Sequence, residues 1–371
     1  MSRYRFELAT PDDDPDLRHV LAATPMGGRI SVAFHREPSW FAGAVVDGRS
    51  RQVVACRDLR TGRIIGFGCR SIRDVYVNGS PGVVGYLSGL RILPEHRNLG
   101  LLARGFAFFR ELHRDDQVRF YLSTIAAGNE LAQAVLTSGR AGLPSYHPAG
   151  TYHTVAIPLP RRRPTSPACG RASVRPCREA DLPAVLNFLA AAGARRQFFP
   201  RLRPDDFLNS EGLMRGLSLD RLLLAERDGR LVGTLAGWDQ HDDRQSVVRA
   251  YGGLLGWARP LYNLWANIRG LPALPPPGES LRYLMGAIPV VLDDDRVVFA
   301  ALLAALRAAA AGGPWTHLLL GLHESDPLLQ VARRSQAACY LTRLFLVCWR
   351  DGEESRGALD GRAPYLEAGS L

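Results

Sequence analysis

The chain has 371 residues, 46% of them apolar and 22% charged, with a formal net charge of +10. Those values describe a globular chain with room for two domains and exclude the disordered and fibrous classes. No uninterrupted apolar stretch reaches membrane-spanning length, so no membrane span is expected.

The N-terminus, Met1-Ser2-Arg3-Tyr4-Arg5, lacks an apolar signal core, and a cytoplasmic setting is the expectation. Six cysteines without CxxC spacing give neither a zinc site nor a disulfide framework, so no metal is expected. Arginine makes the chain basic, which favours anionic partners, whether a phosphorylated small molecule, an acidic protein or nucleic acid. In an Ala/Arg/Leu/Gly-rich chain that excess carries little weight, and no nucleic-acid partner is expected.

Residues 4–9 read as a first strand. The acidic turn Pro11-Asp12-Asp13-Asp14-Pro15 then caps a helix with Leu17, Val20 and Leu21 on one face. Phe34, Trp40 and Phe41 follow in a segment where ordinary packing competes with the lining of a pocket. Arg60-Thr61-Gly62 and Asn78-Gly79 are hairpin signals, which make an antiparallel meander of residues 51–57, 63–70, 75–77 and 83–92. Gly85 and Gly89 predict a bulge or a close approach in the last of these strands. Tyr86 and Ser88 share one of its faces by the two-residue alternation.

After the break at Pro94 comes Arg97-Asn98-Leu99-Gly100-Leu101-Leu102, and then a helix with Leu102, Phe106, Phe109 and Leu112 at helical spacing. A helix that starts directly from such a turn presents backbone N–H groups without internal partners, together with the positive end of its dipole. Gly100 allows close approach and Arg97 adds a fixed positive charge, so the turn is predicted to hold a phosphate or pyrophosphate.

The run Leu90-x-Ile92-x-Pro94-x-x-Arg97-x-x-Gly100-x-Leu102, a helix, the strand 119–125 and then Asn129-x-x-Ala132 resembles the GNAT superfamily of acyl-CoA-dependent N-acyltransferases. The resemblance covers about residues 4–158. It implies that Arg97, Asn98, Leu99, Gly100, Leu101 and Leu102 wrap the coenzyme A pyrophosphate. A backbone amide of Leu90 or Ile92 would polarise the thioester, and Asn129 would touch the coenzyme, a role that competes with simple N-capping.

Two positions depart from the family. Leu102 replaces a small residue, and Leu136 stands where a proton-donating tyrosine is common, so Tyr146 or His147 is the candidate replacement. Tyr86 lies where several members carry a glutamate base. With an ordinary pKa near 10, a tyrosine there suits a water relay or proton donation better than deprotonation of an amine.

Residues 159–171, rich in proline and arginine, read as a linker. From Ala172 the element order repeats, so the expected fold is α+β: two tandem GNAT-like domains, each a mixed, mostly antiparallel sheet flanked by helices. The boundaries fall at 1–158 and 172–350, followed by a flexible tail at 351–371. The second copy is degenerate, because Asp293-Asp294-Asp295 occupies the phosphate turn. An inserted helix near 256–270 is expected to pack at the domain interface.

The resemblance implies an N-acetyltransferase or related acyltransferase that takes acetyl-CoA, or another acyl-CoA, as co-substrate. A primary amine would attack directly in a ternary complex, with Tyr86, Ser88 and Tyr146 as candidate catalytic groups. The alternatives are an N-acyl amino acid synthase fed by acyl carrier protein and a non-catalytic acyl-CoA-binding module. The acceptor, the acyl length and the oligomeric state are not legible from the sequence.

Overall fold

The computed structural model describes residues 2–97, 99–162, 172–268 and 272–371. The first half runs β1 (Tyr4–Leu8), α1 (Asp14–Ala23), β2 (Ile30–His35), α2 (Trp40–Gly43), β3 (Ser50–Asp58), β4 (Ile64–Val77), β5 (Ser80–Ile92), α3 (Leu99–His113), β6 (Tyr121–Ala126), α4 (Glu130–Leu136) and β7 (Ser145–Pro158). The second half runs β8 (Ser173–Pro176), α5 (Leu182–Gly193), α6 (Pro204–Leu208), β9 (Leu222–Arg227), β10 (Arg230–Trp238), β11 (Gln245–Tyr251) and α7 (Leu254–Ile268). It continues with β12 (Tyr283–Val291), α8 (Arg296–Ala309), β13 (His317–His323), α9 (Leu329–Arg333), β14 (Ala338–Cys348) and α10 (Glu353–Gly357). The turns follow their residue types: Asn78 and Gly79, and again Asp228 and Gly229, take positive φ, which suits tight hairpins.

One 12-stranded sheet carries both halves, in the order β1-β3-β4-β5-β6-β14-β7-β13-β12-β10-β9-β8. Each meander ends in a parallel pair, β5 with β6 and β12 with β13. At the centre β14 lies between β6 and β7, and β7 also pairs with β13. The last strand of each half therefore completes the sheet of the other. The expected boundaries at 158 and 172 follow the chain but not the sheet. A separate ribbon joins β2 to β11 across the halves.

Helix α3 packs on one face of the first-half sheet, with Phe106 and Phe109 buried against Leu87 and Tyr121. Helix α1 covers the other face, where Leu17, Val20 and Leu21 meet Trp40, Val53 and Phe67. Trp40 is thus a core residue, its ring 4.6 Å from that of Phe67, rather than a pocket wall.

Two expectations fail. Residues 351–371 are not loose: Tyr365, Leu366, Glu367, Gly369 and Ser370 are buried, because a few apolar side chains and one carboxylate dock a segment whose average composition is polar. Helix α7 does not bury its apolar face at an interface; Leu254, Trp257, Leu261, Leu264 and Ile268 are all more than 60% exposed.

Charge pairs fix the two first strands. The Arg3 guanidinium holds the Asp58 carboxyl down at about 2, and Arg175 does the same for Asp181, also to about 2. A carboxyl whose folded pKa is depressed stabilises fully above its unfolded value, near 3.9, and loses that contribution as pH falls through the folded one. The thermal midpoint is therefore expected to drop between about pH 4 and pH 2. The drop should be shallower in the Asp58→Asn/Asp181→Asn variant, as scanning calorimetry across that range checks.

Candidate functional site

The parallel pair β5/β6 is short. Its register covers Gly85 opposite Tyr121 and Tyr86 opposite Leu122, and no further pairing joins the two strands. The Gly85 N–H donates to Phe120 O at 3.2 Å, and Leu87 O accepts the Ser123 hydroxyl at 2.9 Å. Beyond Leu87 the strands part.

The cause lies on the far edge of β5. Cys69 pairs with Ser88 but Phe67 pairs with Arg91, so Gly89 and Leu90 bulge out opposite Gly68. Gly89 has φ +64°, a left-handed conformation that costs other L-residues roughly 1–2 kcal/mol. The two glycines of this strand thus split the expected roles: Gly89 makes the bulge, and Gly85 allows the close approach, since a Cβ there would lie 2.1 Å from the Tyr121 ring.

The opening has two faces. On the α1 side stand Tyr86 and Ser88, in line with Ser71 and Cys69 of β4. Tyr86 is buried, its hydroxyl 2.7 Å from Thr124 Oγ1, and the Arg73 guanidinium lies 4.4 Å above its ring. Burial raises the Tyr86 pKa against the opposing Arg73 charge, so the phenol is protonated at neutral pH. Arg73 and Arg244, with Arg36, surround Asp47, and both also bond carbonyls of residues 369–371. These cations hold the end of the chain in place beside the opening.

On the α3 side Tyr146 lies near the Ser123 side chain, its ring 5.7 Å from that of Phe345, and burial pushes its pKa far up. It packs in the same cluster as Leu136, the position that lacks the family tyrosine. Tyr86 and Tyr146 therefore approach the opening from opposite faces of the sheet. His147 is turned elsewhere, with Nε2 3.0 Å from Glu353 Oε1. His147, Cys348 and Glu353 bring donor atoms within 4.8 Å of one another, a grouping that the cysteine spacing does not reveal.

Helix α3 starts at Leu99 beside the opening, after the short turn Pro94–His96. Arg97 is exposed, and its Nε donates to Ile92 O at 3.4 Å. Leu101 is buried, and Leu102 packs into the cluster of Phe106 and Phe109, so its bulk faces the core. Gly100 is exposed in the first helical turn. Asn98 lies outside the described residues, as does the side chain of Leu99. Asn129 caps α4, with Oδ1 accepting from Ala132 N at 3.1 Å. Apolar groups exposed around the opening are Leu90 on β5, Leu131 on α4, and Tyr340 and Leu341 where β14 runs past the end of β6. These β14 residues come from the other half, and no local pattern in the first half points to them.

The second half has a matching split, closed by the chain itself. β12 bulges at Ile288, φ +43°, opposite β10. The Ile288 N–H donates to Glu367 Oε2 at 3.0 Å, and the Tyr365 hydroxyl donates to the same oxygen at 2.5 Å. At the start of α8, Asp295 accepts from the N–H groups of Val297 and Val298 at 2.9 and 3.2 Å. Asp293 and Asp294 pair with Arg195 and Arg196.

Glu367→Ala would leave three buried donors without their acceptor, the Ile288 and Gly369 N–H groups and the Tyr365 hydroxyl, at about 1–3 kcal/mol each. The expected loss, read by urea unfolding, is therefore roughly 3 kcal/mol or more.

The sheet order, the β5 bulge, the parting of β5 from β6 and a helix launched from its end make up one recognisable architecture. The overall fold aligns with those of solved structures. Saccharomyces cerevisiae N-myristoyltransferase with bound myristoyl-CoA aligns at TM-score 0.61 and 11% identity, over 94% of this chain and 84% of that one. A GCN5-related N-acetyltransferase from Sphaerobacter thermophilus aligns at 0.58 and 13% over 100% and 99%.

The chain has the GNAT fold. A GCN5-related glucosamine N-acetyltransferase region of a fungal multi-domain β-N-acetylglucosaminidase shares the GNAT fold at 0.57 and 14%, over 93% of this chain and 38% of that one. No protein-family model and no curated protein sequence matches the chain. Each half carries one parallel pair, β5 with β6 and β12 with β13, and the first of them is open. Among the described residues no helix is long and apolar enough to cross a membrane.

Proposed function

We propose that the protein is an acyl-CoA-dependent N-acyltransferase that works through the opening between β5 and β6 of the first half. The observation that carries this reading is the Gly89 bulge, which parts β5 from β6 directly before α3, whereas the second opening is filled by Glu367. The structural neighbours support it, one being an N-myristoyltransferase with bound myristoyl-CoA and another a GCN5-related N-acetyltransferase.

In this reading the acyl chain and thioester enter the opening from the α3 side. Arg97 and the first turn of α3, residues 99–102, hold the pyrophosphate, where a fixed positive charge and the positive end of the helix dipole favour an anion. A β5 amide at Leu90 or Ile92 stabilises the oxyanion of the tetrahedral intermediate.

The amine arrives from the α1 side, beside Tyr86 and Ser88, and attacks the carbonyl directly. The thiolate leaves toward the α3 side, and Tyr146, protonated at neutral pH, donates to it. Tyr86 orders the water that carries off the amine proton. Asn129 serves α4 as its cap and borders the coenzyme. The acceptor class is a primary amine, the co-substrate is acetyl-CoA or a longer acyl-CoA, and the site needs no metal.

Thiol release from acetyl- and myristoyl-CoA over a panel of amines tests the reading. Turnover with at least one amine is expected. Tyr146→Phe should lower kcat about 100-fold without changing the acyl-CoA Kd. Absence of acyl-CoA binding would reject the proposal, and activity with acyl carrier protein alone would favour the synthase.

A further inference from the structure

Helix α7 presents an apolar face to solvent. Leu254, Trp257, Leu261, Leu264, Trp265 and Ile268 recur at spacings of three and four, and Trp257 is 88% exposed. The opposite face is anchored: Ala266 is fully buried, and Asn263 exchanges hydrogen bonds with the backbone of Leu274 at 2.8 and 3.0 Å. The exposed face is therefore held outward on a fixed support.

Its surroundings are basic. Arg161, exposed beside Arg162, donates to Asn267 Oδ1 at 2.7 Å, at the C-terminal end of the helix. Arg259 lies on the helix and exposed Arg249 on β11, which leads into it. Between Gln245 and Ile268 there is no carboxylate at all.

We propose that α7 docks the protein on an anionic lipid bilayer, lying in the plane of its surface. The 15-residue helix is about 22 Å long, too short to span the hydrocarbon, and its exposed side chains suit the boundary between headgroups and acyl chains. Tryptophans favour that boundary, and arginines beside an apolar face are attracted to anionic headgroups.

A second copy of the chain fits less well. A twofold contact through α7 would bring the same arginines of both copies together with no carboxylate on the helix to offset them. Because β11 pairs with β2, the docked helix would also hold the acceptor side of the first-half opening near the lipid surface.

The test is flotation of the full chain with phosphatidylcholine vesicles, with and without 30% phosphatidylglycerol. Recovery in the vesicle fraction is expected with the anionic lipid, with at least tenfold less on neutral vesicles. Leu261→Glu/Leu264→Glu should lower it at least tenfold, and since both positions are exposed the fold is retained. Brominated lipid should quench the fluorescence of Trp257 in the unmodified chain, a readout that does not depend on a variant. Absence of both flotation and quenching would overturn the proposal. So would a dimer in sedimentation equilibrium that the same variant dissociates without any vesicle binding.

Discussion

Gly85→Val is expected to be the most damaging single substitution on β5, lowering stability by roughly 3 kcal/mol or more. The ideal Cβ would sit 2.1 Å from Tyr121 Cδ1 and 2.4 Å from Cε1. The ring cannot step aside, because its hydroxyl accepts from Arg70 Nε at 3.0 Å and lies 3.0 Å from His113 Nδ1. Arg70 is in turn fixed on Asp115 by two bonds of 2.8 Å. Strain at Gly85 is therefore passed into a buried polar network rather than relaxed.

Gly128→Ala, where nothing lies within 4 Å of a new Cβ, is the matching control and should change stability by less than about 1 kcal/mol. Urea unfolding of the two variants checks the contrast.

Gly89→Val is expected to separate function from folding. Its Cβ would meet Cys69 Sγ at 3.1 Å, a contact that a small shift relieves. The lasting cost is φ +64°, which a β-branched residue avoids, so the strand gives up the bulge instead. A regular β5 would continue its pairing and narrow the opening to β6. The expected result is a stability loss of about 1–2 kcal/mol together with at least a 100-fold fall in kcat/KM for acyl transfer. An unchanged kcat/KM would show that the bulge does not shape the site.

Much of this was legible locally. Gly85 and Gly89 marked the strand that carries the opening, and the helix spacing of Leu102, Phe106 and Phe109 placed α3 behind it. In the acidic run 293–295, Asp295 accepts from the first amides of α8, and Asp293 and Asp294 pair with Arg195 and Arg196.

What failed depends on distant partners. The exchange of β7 and β14 across the centre of the sheet leaves no local trace, because pairing between residues some 200 apart is set by the whole assembly. His113, at the polar C-terminal end of α3, is buried between Tyr121 and Asp351, a partner 238 residues away. The amphipathic spacing of α7 gave the helix but not what covers it, and the polar average of the last 21 residues hid Tyr365, Leu366 and Glu367. Tyr146 was found only by its loop, and the face it takes followed from its β-strand register.

The central claim is that one opening of two receives the thioester. Calorimetric titration of the intact chain with acetyl-CoA tests it most directly. A stoichiometry of one is expected, abolished in Gly89→Val and unchanged in Glu367→Ala. A stoichiometry of two, or binding that survives Gly89→Val with its affinity intact, would contradict it.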